Sequence, residues 1–406
     1  MRRIKTNQER KAEAAVRSSQ NALRAAMASL QALEDPRRKR GLRYPLETVF
    51  VVTLLATICG CDDAEAVEQW GLDHARWLDT FLDMPHGPPT QDVVLSVFAR
   101  LDPREVQEVF DRWLLFLKQR LGELGAHIAI DGKTSRGSRS KKKAATHIVS
   151  AWASEVSMVI AQTNVRSKSN EITAIPELLK MLDLEGTFVT IDAMGCQTKI
   201  VTTIAERGGQ YLIAAGDNQK SLRKEVETTF ADIDRGSDRP RDQAAPPSVL
   251  EYTETSGDHG RVEVRRTRMT TDHRHVRTAT RWLGLNLLIQ VVRIRECKAT
   301  GEKTQQVAYY ISNAKTDDVE LIHRMIRAHW GVENGLHWVL DVAFDEDRVR
   351  ARTGNAAANL AVVRHMALNL LKRETTLKLG VANKRRRAAW NPSYLLQVMT
   401  GGPDRG

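Results

Sequence analysis

Thr187-Phe188-Val189-Thr190-Ile191-Asp192 runs apolar and β-branched into a carboxylate, and His127-Ile128-Ala129-Ile130-Asp131 does the same earlier in the chain. Short runs of this composition, bounded by turn residues such as Gly132-Lys133 and Ala193-Met194-Gly195, read as buried strands. A carboxylate just past a buried strand sits at a sheet edge, where a cation can reach it from solvent. A third acid, Glu333, lies in a helix-like stretch, His329-Trp330-Gly331-Val332-Glu333-Asn334. Two strand-end aspartates and one helical glutamate can hold a pair of Mg²⁺ ions for in-line phosphoryl transfer. Taken singly, each acid is more often a turn or cap residue than a ligand. With 50 Asp and Glu in the chain, spacing alone gives many accidental triads.

The neighbouring pattern orders these pieces. After His127–Ile130 comes a hairpin of His147–Ala153 and Met158–Val165, then a helix over Glu171–Leu182. The strand Thr187–Ile191, a helix over Lys199–Arg207, a strand Tyr211–Ala214 and a helix from about Asn218 follow. Three strands, then alternating helix and strand, is the order of an α/β ribonuclease-H-like core, with the first acid on strand one and the second on strand four. Between Asp192 and Glu333 there is more chain than one strand and one helix need. The surplus, about 235–312, carries β-like runs at Val262–Met269, Leu285–Ile294 and Gln305–Ile311. Pro240–Pro247 reads as its flexible approach. Before the core, residues 45–121 read as several helices. Pro45 opens one, Asp62 caps the next, and Trp70, Trp77, Leu78 and Phe81 recur at helical spacing as core.

Longer words in this order resemble one family. They are His127-Ile-Ala-Ile-Asp-Gly-Lys-Thr134, His147-Ile-Val-Ser-Ala-Trp-Ala153 and Lys168-Ser-Asn-Glu-Ile-Thr-Ala-Ile-Pro-Glu-Leu-Leu179, continued by Val189-Thr-Ile-Asp-Ala-Met-Gly-Cys-Gln197 and His329-Trp-Gly-Val-Glu-Asn-Gly-Leu-His-Trp-Val-Leu-Asp341. The chain resembles the ISAs1-type insertion-sequence transposases (the H-repeat-associated proteins), a branch of the IS4-like DDE group, over about residues 35–375. The resemblance implies a DDE transposase that cleaves DNA ends and transfers strands. Asp131, Asp192 and Glu333 would be its catalytic and metal-binding residues, with two Mg²⁺ ions for which Mn²⁺ can substitute. It also implies an all-α associated domain that binds DNA, terminal inverted repeats and target DNA as partners, and a homodimer on DNA. Residues 1–34 read as a helical N-terminal arm and 35–122 as the associated domain. Residues 123–375 form the catalytic domain with its β-rich insertion, and 376–406 a basic C-terminal tail. The sequence departs from the wider IS4-like pattern at His329, Ile326 and Leu340, where Arg, Tyr and Lys are usual, and at Gly216, which removes a Lys. Two other classes stay open: a DNA-binding regulator with an inactive core, and a DDE nuclease without strand transfer.

Charge points the same way. Lys and Arg number 61, the net charge is +11 and the isoelectric point is near 9.6, which favours a polyanionic partner. Lys133, Arg136, Lys141, Lys142 and Lys143 follow the first acid, and Lys168, Asn218 and Gln219 lie near the others. These side chains are expected to position phosphates rather than read bases. Further clusters are Arg37–Arg40 and Lys384–Arg387.

His329, Glu333, His337 and Asp341 are spaced four apart and form one polar helix face, with both imidazoles toward phosphate. Trp330, Val332, Leu336, Val339 and Leu340 supply buried sides, and buried packing is expected of Trp338 too. A His-x₃-Glu-x₃-His face lacks the His-Glu-x-x-His spacing of zinc helices, which argues against zinc. Asp341, Asp345, Glu346 and Asp347 are rival third acids. Four cysteines suit a reducing compartment, with Cys59 and Cys61 as core thiols. The longest apolar run, Val49–Gly60, is too short to span a bilayer, and no signal peptide opens the chain. A cytoplasmic, nucleoid-associated protein without a membrane partner is expected.

Overall fold

A computed structural model describes residues 30, 33–38, 42–121, 126–139, 144–165, 171–236, 248–258 and 260–400. Most of the expected N-terminal arm, Lys141–Lys143, Lys168 and Pro240–Pro247 lie outside the described residues.

Nine strands form one sheet in the order β3-β2-β1-β4-β5-β9-β8-β7-β6. They are β1 (His127–Ser135), β2 (Thr146–Ala153), β3 (Met158–Val165), β4 (Phe188–Ile191), β5 (Gln210–Ala214), β6 (Leu250–Asp258), β7 (Arg261–Thr270), β8 (Leu287–Cys297) and β9 (Lys303–Ser312). β1 pairs antiparallel with β2 and parallel with β4, and β4 pairs parallel with β5. This is the ribonuclease-H-like arrangement that the element order predicts. The insertion does not form a sheet of its own. β9 pairs antiparallel with β5, so β6–β9 extend the core sheet as a meander.

Alternation along the strands builds two cores. Ile128, Ile130, Val189, Ile191, Tyr211 and Ile213 face one side, where α6 (Glu171–Lys180), α7 (Thr198–Glu206) and α8 (Lys220–Gly236) cover them. Ala129, Phe188 and Leu212 face the other side. There they meet α9 (Val319–Val332), a π-helical turn over Glu333–His337 and α10 (Trp338–Ala343), while α11 (Ala356–Arg373) covers β2 and β3. Because side chains alternate, Asp131 and Lys133 share a face with Ala129 and so point toward this helical layer.

The N-terminal helices are α1 (Leu46–Ile58), α2 (Ala64–Asp73), α3 (Ala75–Leu78), α4 (Gln91–Arg100) and α5 (Pro103–Leu121). α1 is buried at every position from Thr48 to Ile58 and packs against α11, which is itself buried from Ala356 to Leu371. Buried amides stitch the layers. Asn359 Nδ2 donates to the carbonyls of Phe98 and Leu101, and Asn369 exchanges hydrogen bonds with the backbone of Val159. Trp70 and Leu78 are buried and Trp77 and Phe81 pack against them, as their spacing predicts.

Three local expectations are corrected. The cap of α2 is Asp63, whose side chain accepts from Ala66 N at 2.8 Å; Asp62 is committed to Arg385 instead. β1 does not end at Ile130 but continues to Ser135, because β2 stays paired to it after β4 has left the sheet. Residues 381–400, read as tail, form α12 (Val381–Trp390) and α13 (Pro392–Thr400). Ala388, Tyr394, Leu395, Val398 and Met399 carry these helices into the helical core. Lys384 and Arg385 are thereby buried, with Lys384 Nζ donating to Leu371 O at 2.9 Å. Arg385 donates to Asp62 and Thr57 O, and its guanidinium lies 4.0 Å from the Phe344 ring centre. The cysteines are free, and burial pushes the Cys59 thiol up to about 12. Among the described residues, no helix is long and apolar enough to cross a membrane.

Candidate active site

Ile130 pairs with Ile191 across β1 and β4, so Asp131, the next residue of β1, and Asp192, the first residue past β4, emerge beside each other. Asp192 caps a short 3₁₀ turn, its Oδ1 accepting from Met194 N at 2.9 Å and Gly195 N at 3.3 Å. Gly132 N donates to Asp131 Oδ1 at 2.8 Å. Glu333 follows the last residue of α9 and opens the π turn. All three carboxylates line one cleft of about 280 Å³, with Thr190, His329 and Trp330 among its walls.

Two histidines surround the carboxylates. His337 Nδ1 lies 3.1 Å from Glu333 Oε2 and 3.5 Å from Asp131 Oδ2, and the side chain is only 7% exposed. Thr190 Oγ1 lies 3.0 Å from His329 Nδ1 and 2.9 Å from His127 Nε2, which stacks a hydroxyl and two imidazoles behind the cleft. Burial pushes the Asp131 carboxyl up, opposed by His337 and His329, with Asp192 adding to the rise. Burial pushes His329 down, opposed by Asp131 and Asp192. A partly buried acid with a raised pKa is a group that a cation would stabilise in its charged form. Asp131, Glu333 and His337 each bring one ligand atom within 4.8 Å of the other two, a donor set that fits a divalent ion, and Asp192 lines the same cleft.

A "Transposase DDE domain" model matches residues 123–370, and a "DDE_Tnp_1-associated" model matches residues 27–114. The chain belongs to the DDE transposase family. This transposase is 35% identical to "Putative transposase YncI" of Escherichia coli O157:H7, over 93% of this chain and 95% of that protein. It is equally similar to "H repeat-associated putative transposase YhhI" of Escherichia coli strain K12, over 93% of this chain and 98% of the other. A solved piggyBac transposase synaptic complex with hairpin DNA superposes with a TM-score of 0.39 and 11% identity, over 93% of this chain and 77% of that one, too weakly to bear on the fold.

The other sequence-predicted residues of the transposase fall in several places. Lys133 turns into the layer beneath the cleft, where Nζ meets both oxygens of Asp341 at 2.7 Å. Arg136 is exposed, and its backbone N donates to Asp347 Oδ1 at 3.0 Å. Asn218 and Gln219 line a different cleft with Gln197, Lys220 and Arg281; Gln219 Nε2 donates to Cys196 O at 3.0 Å. His337 faces the carboxylates rather than solvent, since Leu336 and Leu340 pull its helix onto the core. Trp330 and Trp338 are 56% and 58% exposed, against the expectation of burial. The π turn between them opposes Gly335, not an indole, to the sheet, and that position lies against Trp152.

The rival acids stay out of the cleft lining. Glu346 is buried against Arg364 at 3.4 Å, Asp341 is held by Lys133, Asp347 lies beside Arg136 and Asp345 beside Arg348. At Gly216 an added Cβ would lie 2.4 Å from Ala193 Cβ, so close approach to the Asp192 turn excludes any side chain there.

Sequence reading missed a second groove. Arg265, Arg293 and Arg327 line it with Gln306, and it shares Tyr310, Ile326 and Trp330 with the acid cleft. Glu263 takes ion pairs from Arg265, Arg293 and Arg295, and Glu254 takes one from Arg327, so four arginines outnumber the two acids that gather them. The signal was present only as scattered arginines, because their convergence depends on the register of β7 with β8.

Proposed function

We propose that this transposase cuts DNA at the ends of its own insertion sequence and joins the freed 3′-hydroxyls to target DNA, with Asp131, Asp192 and Glu333 as catalytic residues. The observation that carries the reading is the convergence of these three carboxylates on one cleft from β1, β4 and the π turn after α9. Asp131, Asp192 and Glu333 would hold two divalent ions, Mg²⁺ or Mn²⁺. When bound, such ions activate a water or 3′-hydroxyl and stabilise the leaving oxygen.

The rest of the site prepares this. Backbone N–H groups fix the Asp192 and Asp131 carboxylates. Burial keeps His329 uncharged near neutral pH, so it leaves the acids free to take cations while lining the cleft. The arginine groove beside the cleft supplies phosphate contacts, and exposed Trp330 at the junction offers a ring face to an unpaired base. Terminal repeats and target DNA are the partners, and a homodimer on DNA brings two ends together.

The test is cleavage of the DNA flanking this reading frame with Mg²⁺ or Mn²⁺. Asp131→Asn, Asp192→Asn and Glu333→Gln each should abolish nicking while leaving DNA binding within about threefold, since each keeps shape and removes charge. Nicking retained by any of the three removes that residue from the role. Nicking without joined products reduces the reading to a nuclease, and binding with no nicking at all reduces it to a DNA-binding regulator.

A further inference from the structure

We propose that one cation of this site is held by Asp131, Glu333 and His337 together, a two-carboxylate, one-imidazole set that selects Mn²⁺ over Mg²⁺. The inference rests on the cation-dependent reading above and adds a ligand to it. One ligand atom from each of the three side chains lies within 4.8 Å of the other two. Neighbouring ligands of an octahedral shell with bonds of about 2.1 Å stand roughly 3.0 Å apart. His337 Nδ1 is 3.1 Å from Glu333 Oε2 and 3.5 Å from Asp131 Oδ2, already near that spacing.

The placement follows from the fold. Glu333 and His337 are the first and last residues of the π turn, a distortion that recurs at functional sites. Leu336, fully buried, anchors the turn, and Gly335 lets it settle against Trp152. His337 is thus nine-tenths buried with Nδ1 aimed at two carboxylates, while Nε2 is buried without a hydrogen-bond partner. Nε2 lacks a partner whether or not Nδ1 binds an ion, so the Nδ1 distances to the two carboxylates carry the assignment. An imidazole lone pair adds little to binding of hard Mg²⁺ and more to first-row transition ions. The same atoms could instead form an imidazolium bridging two carboxylates, and the experiment separates the two.

Mn²⁺ is titrated into the full-length protein, and the bound ion is examined by electron-spin-echo envelope modulation. A directly coordinated imidazole should give ¹⁴N modulation, which disappears when the protein is made with ¹⁵N-histidine. That comparison needs no variant and so does not depend on folding. In His337→Gln the ¹⁴N signal should vanish, and Mn²⁺ affinity should fall tenfold or more, by about the scale of losing a metal-supporting group. Mg²⁺ affinity should move less than about threefold, while His329→Gln should keep the signal. Bound Mn²⁺ without ¹⁴N modulation, or a signal lost in His329→Gln but kept in His337→Gln, would overturn the inference. In those cases retained DNA cutting leaves the transposase reading standing. Failure to bind Mn²⁺ at all, with no cutting, would remove both.

Discussion

Gly335 and Gly331 sit one helical turn apart over the same tryptophan, and replacing each by alanine gives opposite outcomes. At Gly335 an added Cβ would lie 2.7 Å from Trp152 Cζ2; at Gly331 the nearest Trp152 atom would be Nε1 at 3.8 Å, an ordinary contact. Trp152 is 2% exposed near the end of β2, paired to β1 and β3 on either side, and cannot retreat. Reaching a tolerable separation of 3.4 Å therefore lifts the π turn by 3.4 − 2.7 = 0.7 Å. Overpacking of this kind costs about 1–3 kcal/mol, against a gain of about 1 kcal/mol from replacing a helical glycine. Gly335→Ala should be destabilised by roughly 0–2 kcal/mol, and Gly331→Ala stabilised by up to about 1. The larger effect should be on chemistry. A 1 Å misplacement can cost about a hundredfold, so moving Glu333 and His337 by this much should slow single-turnover nicking at least about tenfold. Urea unfolding and a nicking time course on end DNA measure both. Wild-type stability and rate in Gly335→Ala, or an equal loss in Gly331→Ala, would refute the argument that backbone proximity to Trp152 sets the height of the acid.

Three further outcomes are expected, two from the structure and one from the charge pattern of the sequence. Arg385→Met should destabilise by about 3–5 kcal/mol in urea because it strands the Asp62 carboxyl, which burial already pushes up, whereas exposed Arg386→Ala should be near neutral. If Arg386→Ala weakened folding as much, the buried-pair assignment would fail. Burial, with His329 adding to it, pushes His127 down to about 3, so between pH 6.5 and 5 the unfolded chain takes up a proton there that the folded one refuses. Stability should therefore be lost as pH falls through that window. His127→Gln should flatten the slope by up to about 1.4 kcal/mol per unit, and an unaltered slope would count against it. Neutralising Lys141, Lys142 and Lys143 together should lower the slope of log DNA affinity against log salt by about 2–3, at roughly 0.9 per phosphate contact, and no change would put the DNA path elsewhere.

The acids were legible because strand, turn and carboxylate are adjacent in sequence, so Ile130-Asp131 and Ile191-Asp192 announce themselves locally. What surrounds them was not local. β1 runs on through Gly132-Lys133-Thr134-Ser135, of which only Thr134 favours a strand, because β2 offers a partner. β6, Leu250-Glu-Tyr-Thr-Glu-Thr-Ser-Gly-Asp258, is largely polar and carries no period that marks it as a strand. Fusion of the insertion into the core sheet is decided by three residue pairs between β5 and β9, Leu212–Ser312, Ile213–Ile311 and Ala214–Tyr310. The run Lys384–Arg387 hid a helix, since its charges mask the apolar residues beyond them and the Thr57 carbonyl that receives Arg385 is 328 residues away in sequence. The tryptophans misled for a related reason: Trp330 and Trp338 are spaced like core residues, but the side of the helix that meets the sheet is the one bearing Leu336 and Gly335.

The partnership of α1 with α11 has a consequence for synthesis. α1 is apolar on every side, yet the helix that covers it emerges from the ribosome about 300 residues later, some 15–60 s at 5–20 residues per second. Throughout that interval the N-terminal helices are an unfinished core with a greasy face open to the cell. A nascent chain in this condition invites chaperones and misassembly. Copies cut short before Ala356 should therefore be insoluble debris rather than competing DNA binders, since they lose the covering helix along with α12 and α13.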